Sequence, residues 1–188
     1  TLLMPTPLPQ YNLIGVGDMP KSLSDFDGKR LRGPGGIAEV MAQLGAVKTG
    51  VPASEVRQAL DSGVIDTVAF AQHAHLAFGS VQAGKWATSN LNLGTANCPV
   101  VVNTDALNGL SEAHRTALLS SVDEVLEYYV SNYEGKVVDK YNAAVKENGI
   151  EVLTFTAAQT AELDKLGASV RAQWIADNSE DFDAQELY

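Results

Sequence analysis

Residues 28–36 read Gly-Lys-Arg-Leu-Arg-Gly-Pro-Gly-Gly, and this stretch joins an extended segment to a helix. Lys29–Gly33 is predicted to be extended, and a helical pattern follows Pro34. Its apolar residues recur on one face of a helix: Ile37, Val40, Met41 and Leu44. Gly45 is placed to end this helix, because glycine accepts the left-handed conformation at a C-terminal cap.

The same alternation continues on both sides of this stretch. Ser24–Gly28 reads as a turn, Ala46–Val51 as an extended segment, and Val64–Phe70 as a β-branched strand. Ser54 is predicted as the N-cap of a helix over residues 55–62 that ends at Gly63. Ala71–Phe78 reads as a further helix. The order βαβαβ with short connections predicts an α/β fold with a mostly parallel sheet.

The second half of the chain is dominated by one long helical pattern. It starts near Ser111, is expected to bend at Gly135, and ends at Asn148-Gly149. An apolar strand over Leu91–Val102 precedes it. A strand over Ile150–Phe155 and a helix over residues 157–176 follow it. Residues 177–188 form an acidic tail, which we expect to be poorly packed.

Charge and composition exclude several classes of function. The 188 residues carry 23 acidic and 13 basic side chains, a net charge of −10, so a nucleic acid or an anionic membrane is not the expected partner. No apolar run is long enough to span a bilayer, and none is expected to insert into one. The one cysteine, Cys98, has no partner for an internal disulfide.

Arg32 is the residue whose position suggests binding chemistry. The strand at Lys29–Gly33 brings it to the carboxyl edge of the sheet, where open α/β sheets bind ligands. The glycines after it allow close approach of the backbone, and the next helix directs free N–H groups to the same place. Because a guanidinium can grip a carboxylate with two parallel hydrogen bonds, we expect Arg32 to anchor an acid. Lys29 and Arg30 are expected on a solvated turn.

Other candidate residues have two interpretations each. Phe70 ends its strand at the same edge and is either a core residue or the apolar wall of a binding site. His73 and His75 alternate as if in an extended segment, and they are interpreted as solvated or capping rather than as metal ligands. Trp86 is left open between core and site, and Trp174 is interpreted as packing. The glycines of residues 33–36 lack the spacing of a dinucleotide-binding loop.

Several segments, in order, resemble the solute-binding proteins of tripartite (TRAP) transporters, the DctP family. Asp27–Pro34 is similar to the family pattern D-x-x-G-x-K-x-R-x-P; its fourth element arrives one residue early, as Gly-Lys-Arg-Leu-Arg, and its closing arginine keeps its place. The other matching segments, spread along the chain, are Leu44–Ala46 (L-G-A), Pro52–Leu60 (S-E-V and A-L), Gly63–Asp66 (G-V-I-D), Val101–Asn103 and Leu107–Ser111.

The resemblance implies a periplasmic binding protein of type II, with two α/β lobes that close on a ligand in a cleft. It implies that residues 10–98 form the second lobe, that residues 99–176 are the long helix and closing elements that pack against both lobes, and that most of the first lobe is absent from this chain. It further implies a periplasmic receptor, made as a precursor with a signal peptide, that delivers a small carboxylate to membrane permease subunits and is not an enzyme. The ligand-binding residues expected on this basis are Arg32, Gly33, Phe70, Gln72, His73 and Asn12.

Departures from the family pattern limit what the resemblance implies. Members that bind sialic acid have an aromatic residue at Ala53, an amide at Phe70 and a second arginine near Asn12, so sialic acid is not expected. An acid that contributes to a metal site in other members is replaced by Ala69, so no metal and no cofactor is predicted. Two alternatives stay open: a small α/β enzyme that uses His73 or His75, and the effector-binding module of a regulator.

Overall fold

The computed structural model of the protein describes residues 1–91 and 93–186. In chain order its strands are β1 (Leu2–Met4), β2 (Asn12–Gly15), β3 (Arg30–Arg32), β4 (Val47–Lys48), β5 (Thr67–Phe70), β6 (Trp86–Thr88), β7 (Val100–Val101) and β8 (Glu151–Leu153). Its α-helices are α1 (Gly35–Gln43), α2 (Val56–Asp61), α3 (Gln72–Ala77), α4 (Ser80–Ala83), α5 (Thr104–Asn108), α6 (Glu112–Asn132), α7 (Val138–Glu147) and α8 (Ala157–Asn178). Two 3-10 turns, Leu23–Phe26 and Ala53–Glu55, and a π-helical segment, Tyr133–Val137, complete it.

The main sheet has the strand order β4-β3-β5-β2-β6-β8. Strand β3 runs parallel to both β4 and β5, so the predicted βαβαβ unit is confirmed. Strand β2 lies antiparallel to β5 and β6, and β8 returns parallel to β6. The sheet is therefore mixed, because β2 runs in the reverse direction between β5 and β6; the periodicity predicted neither β2 nor β6.

Apolar side chains fill both faces of this sheet. One cluster contains Phe26, Leu31 and Trp86 and is covered by α1 and α8. The indole of Trp86 is fully buried and packs edge-on against Phe26, with ring centroids 6.2 Å apart, so Trp86 is a core residue. The other cluster contains Val68 and Tyr141 and is covered by α2, α3 and α7. The sheet thus lies between two helical layers, and a site can form where its strands end.

The predicted strand over Leu91–Val102 is wrong for most of its length. Of its described residues, only Val100–Val101 form a strand, which pairs antiparallel with β1 in a separate two-stranded sheet. Residue 92 lies outside the described residues. The apolar side chains Leu91 and Leu93 are buried in the core from irregular backbone, so their hydrophobicity reflects burial rather than a strand.

The predicted N-cap at Ser54 is also wrong. Pro52, with φ −55°, starts the 3-10 turn, so the backbone is already helical at Ser54 and its side chain makes no cap hydrogen bond. Because proline fixes φ near this value, it initiates the turn two residues before the serine. The end of α2 agrees with the prediction, since Gly63 has φ +67°.

The long helix is interrupted where the sequence predicts a bend. Gly135 lies inside the π-helical segment, in which the hydrogen-bonding pattern of α6 changes before α7 begins. No residue of α6 is buried, and Leu119, Val125 and Tyr128 are exposed apolar side chains on it. Within the described residues, no helix combines the length and apolar character that crossing a bilayer requires.

The first residues of the predicted C-terminal tail belong to a helix. Helix α8 continues to Asn178, two residues beyond the predicted end. Beyond it the described side chains are exposed except Ala184, which is fully buried. Phe182 contacts Trp174, with ring centroids 6.0 Å apart. Residues 187 and 188, which the predicted tail includes, lie outside the described residues.

Candidate functional site

Arg32 is the last residue of β3, and the chain turns sharply after it. A Cβ at Gly33 would lie 3.1 Å from Leu31 Cδ2 and 3.4 Å from Ala69 Cβ, so glycine allows the backbone to pass close to the sheet. Pro34 is the N-cap of α1 and closes its first turn by accepting a hydrogen bond from the Ala38 N–H at 2.9 Å. Arg32 is therefore held at the end of a central strand beside a helix start, as the sequence predicts.

The guanidinium of Arg32 is half-buried and lies against Phe70. Its central carbon is 4.6 Å from the centroid of the Phe70 ring, a cation–π contact. Its Nε donates a hydrogen bond to the Val51 carbonyl oxygen at 3.1 Å, which fixes the plane of the group. Burial lowers the pKa of Arg32, and the Tyr11 side chain is close enough to act in the opposite direction. Phe70 is itself buried, so it belongs to the core and also forms the surface on which the guanidinium rests.

Arg32 has no acidic partner in the part of the chain that the structure describes. Its two terminal nitrogens make no hydrogen bond to residues 1–91 or 93–186. Arg30, two residues earlier on the same strand, differs sharply: it binds Asp66 through two nitrogens, at 2.6 Å and 2.8 Å. Arg30 was expected on a solvated turn, and the structure instead places it in this partly exposed ion pair.

Gln72 and His73 form the first turn of α3, directly after Phe70 and Ala71. Both are half-buried, and both contact the hydroxyl of Tyr133 from the π-helical segment. Burial lowers the pKa of His73 and raises the pKa of Tyr133 to about 12. We call the group Arg32, Gly33, Phe70, Gln72 and His73 the arginine site.

Asn12 lies opposite Phe70 in the register of β2 and β5. It is buried, and its carbonyl oxygen accepts a hydrogen bond from His75 Nε2 at 3.0 Å. Its side chain lies close enough to Tyr141 to oppose the effect of burial, which raises the pKa of that tyrosine to about 12. Asn12 thus sits beside the arginine site, and its role as a ligand contact stays a prediction.

His75 has a structural role that the sequence did not predict. It lies in α3, which confirms the helix predicted over Ala71–Phe78 and excludes the extended arrangement, and it is fully buried rather than solvated or capping. Its Nδ1 hydrogen-bonds to Ser80 Oγ at 2.7 Å and its Nε2 to the Asn12 carbonyl. Burial lowers its pKa to about 3. With both nitrogens engaged and no exposed surface, His75 is not placed to act as a general base.

Tyr11 and Tyr133 are the neighbours of the site that sequence reasoning missed. Burial raises the pKa of Tyr11, and the charge of Arg32 opposes that effect, which places the two side chains close together. Tyr133 reaches the site from 60 residues away along the chain. The predicted bend at Gly135 was the one sequence signal near it, since a helix interruption re-aims the side chains around it.

A comparison with protein families decides the family of the chain. The model of bacterial extracellular solute-binding protein family 7, DctP, matches residues 20–177.

The chain belongs to the DctP family.

Solved structures agree with this fold. A TRAP periplasmic solute-binding protein from Desulfovibrio salexigens, with bound orotic acid, matches with a TM-score of 0.86 and 19% identity over 100% of this chain and 60% of its own. One from Rhodoferax ferrireducens, with bound malonate, matches with a TM-score of 0.85 and 15% identity over 99% of this chain and 58% of its own. A marine metagenome protein specific for pyroglutamate matches with a TM-score of 0.83 and 24% identity over 98% and 59%.

These matches confirm three predictions. The fold is that of a periplasmic binding protein, the family is DctP, and the family is periplasmic. Its members are solute-binding proteins, which are not enzymes. The chain spans about 60% of the length of the structures it matches.

Proposed function

We propose that this chain forms the greater part of a TRAP-transporter receptor that captures a small carboxylate at Arg32 and delivers it to membrane permease subunits. This proposal rests on the burial and the hydrogen bonding of Arg32. It is a half-buried cation with two unused terminal nitrogens and no acidic partner among the described residues. We expect no catalysis, because the members of the family are solute-binding proteins.

A half-buried cation without an acidic partner is costly, and the fold could have avoided it. Complete burial of an unpaired charge costs on the order of several kcal/mol, and partial burial costs part of that, unless an opposite charge or a set of hydrogen bonds replaces the lost water. The chain has 23 acidic residues available, and it places Asp66 on the neighbouring Arg30. A ligand carboxylate would supply the missing charge and accept both terminal N–H groups at once.

The rest of the arginine site fits the remainder of a small acid. The Phe70 ring offers an apolar surface beside the anion anchor, and Tyr11 adds a second aromatic side chain. The backbone beyond Gly33 is open, since a Cβ at Gly35 or Gly36 would meet nothing within 4 Å. Gln72 and His73, which follow Phe70 and Ala71 in the chain, provide polar groups. A few polar groups in an apolar setting are typical of small-ligand sites.

The ligands of similar proteins support an organic acid as the ligand of this chain, but they do not indicate which acid. Malonate, orotic acid and pyroglutamate are each bound or preferred by proteins of this fold, whereas another protein of this fold, TeaA, is named as an ectoine-binding protein. Identities of 15–24% leave the ligand of this chain to experiment.

The lobe boundaries extend this proposal. Residues 10–98 would form the second ligand-binding lobe, residues 99–176 would be the long helix and closing elements that pack against both lobes, and residues 177–188 would be an acidic tail. The exposed apolar side chains of α6 and of the β1–β7 sheet would then be covered by the first lobe, among them Leu2, Val101, Leu119 and Val125. Hinge closure of the two lobes over the arginine site would bury the ligand.

A thermal-shift screen of organic acids on the full-length protein tests the function. A ligand at 100 times its Kd stabilises the folded state by about 2.7 kcal/mol, so binding is visible as a raised melting temperature. We expect stabilisation by one class of carboxylates and none by the corresponding primary amides, which lack the charge. Equal stabilisation by an acid and its amide would contradict the proposed role of Arg32.

A further inference from the structure

The hydroxyl of Tyr133 sits at the centre of three polar contacts at the start of α3. Its oxygen lies 3.3 Å from the His73 backbone nitrogen, 2.9 Å from His73 Nδ1 and 3.3 Å from Gln72 Oε1. The Tyr133 ring packs edge-on against the His73 ring, with centroids 5.5 Å apart and planes 82° apart. A residue of the long helix thereby fixes both the position and the rotation of the His73 imidazole.

The protons in this cluster can be assigned by counting donors. A tyrosine hydroxyl has one proton to donate, and Gln72 Oε1 can only accept, so that proton is directed to Oε1. The His73 backbone N–H donates to the tyrosine oxygen. The remaining contact, at 2.9 Å, then needs a proton on His73 Nδ1. Since a neutral imidazole carries one proton, its Nε2 is left as an acceptor.

His73 Nε2 has no hydrogen-bond partner in residues 1–91 or 93–186. The ring is half-buried, and burial lowers its pKa, so it is neutral near pH 7. Its helix begins directly after Phe70, whose ring lies 4.6 Å from the Arg32 guanidinium carbon. The arginine site therefore combines a cationic hydrogen-bond donor, Arg32, with a neutral acceptor, His73 Nε2. The contact with Tyr133 determines which nitrogen of His73 carries the proton.

We propose that Tyr133 is a positioning residue that holds His73 as a hydrogen-bond acceptor, and that the ligand carries a donor group, a hydroxyl or an amide N–H, in addition to its carboxylate. This inference rests on the proposed function of the arginine site. A second carboxylate opposite His73 Nε2 would meet the lone pair of that nitrogen instead of a proton. The site thus selects a monocarboxylate with a donor over a dicarboxylate.

Two sets of three acids test the selection by titration calorimetry on the full-length protein. Each set keeps one skeleton and varies one substituent: 3-hydroxybenzoate, benzoate and isophthalate; and 2-hydroxy-3-methylbutanoate, 3-methylbutanoate and isopropylmalonate. In at least one set the hydroxy acid should bind about fivefold or more tightly than the acid without the hydroxyl, and the diacid should bind no better than the latter. In Tyr133→Phe the preference for the hydroxy acid should fall below about twofold, because no hydroxyl then keeps the imidazole proton of His73 on Nδ1.

Two variants separate positioning from simple loss of structure. Tyr129→Phe removes a nearby hydroxyl that donates to the Pro7 carbonyl, so it controls for the loss of a tyrosine hydrogen bond without touching His73. It should keep the wild-type preference. The chain has three histidines, so ¹⁵N chemical shifts of the imidazoles can be assigned by comparison with His73→Gln. The wild-type protein should show His73 protonated at Nδ1, and Tyr133→Phe should show a mixture of both forms.

The outcomes distinguish this inference from the proposed function. If acids bind but the hydroxyl brings no advantage, or if the diacid binds best, the inference is overturned while the role of Arg32 stands. A wild-type His73 protonated at Nε2 overturns it independently of any ligand. If the thermal-shift screen finds no carboxylate that stabilises the full-length protein, the proposed function itself fails, and this inference with it.

Discussion

Replacing Arg32 by methionine should weaken ligand binding strongly while leaving the fold intact. Methionine keeps the length of the side chain and its packing against Phe70, and it removes the charge and the three nitrogens. Hydrogen bonds to a charged group contribute about 1.5–3 kcal/mol each, and a carboxylate would accept two from the terminal nitrogens. Part of that gain is spent on desolvating the ligand. We therefore expect the Kd of the full-length protein to rise between about 10-fold and 100-fold, where 1.4 kcal/mol is about tenfold.

Arg30→Met is the matched control, since Arg30 lies on the same strand and its charge is already paired with Asp66. This pair is partly exposed, so its loss should lower the free energy of unfolding by about 1 kcal/mol or less and leave the Kd within about twofold. Titration calorimetry gives the affinities, and urea unfolding gives the stabilities. An Arg32→Met protein with wild-type affinity, or an Arg30→Met protein with an equal loss, would refute the assignment of the anchor.

Three further substitutions test other parts of the structure. The pKa of His75 is lower in the folded state than the usual value of 6.5, so the unfolded chain binds the proton first and stability falls as the pH drops below 6.5. His75→Gln should abolish about 2 kcal/mol of that loss between pH 6.5 and pH 5 in urea unfolding, and an unchanged slope would contradict it. Gly15→Ala should lower the free energy of unfolding by about 1–3 kcal/mol or more, because the added Cβ would overlap the Trp86 indole. The control is Gly50→Ala, where the added Cβ meets open space; it should change the free energy of unfolding by less than about 0.5 kcal/mol. Phe70→Leu should weaken binding of the acid by about 3- to 10-fold in calorimetry, since it removes the cation–π surface beneath the guanidinium; an affinity equal to that of the wild type would assign Phe70 to the core alone.

Local patterns predicted the part of the fold that local physics determines. The run from β3 to β5 alternates short strands with short helices, and glycines at 45 and 63 end the helices with positive φ. That order places Arg32 and Phe70 at one sheet edge, which is enough to predict an anchor and its wall. Here the sequence signal and the fold agree because each connection is only a few residues long.

Contacts between distant parts of the chain could not be predicted in this way. Tyr133 meets His73 across 60 residues, and β2 enters the sheet between β5 and β6 in the reverse direction. Neither is encoded by a period or a motif, because both depend on how the whole sheet assembles. The buried His75 was misread for the same reason: its partners, Ser80 and the carbonyl of Asn12, satisfy both nitrogens only in the folded chain.

A crystal structure of the full-length protein with its bound acid tests the central claim most directly. We expect one carboxylate group of the ligand to lie with its oxygens about 2.7–2.9 Å from the terminal nitrogens of Arg32, above the Phe70 ring. An acid held elsewhere, with the Arg32 guanidinium turned away from it into bulk water, would contradict the account.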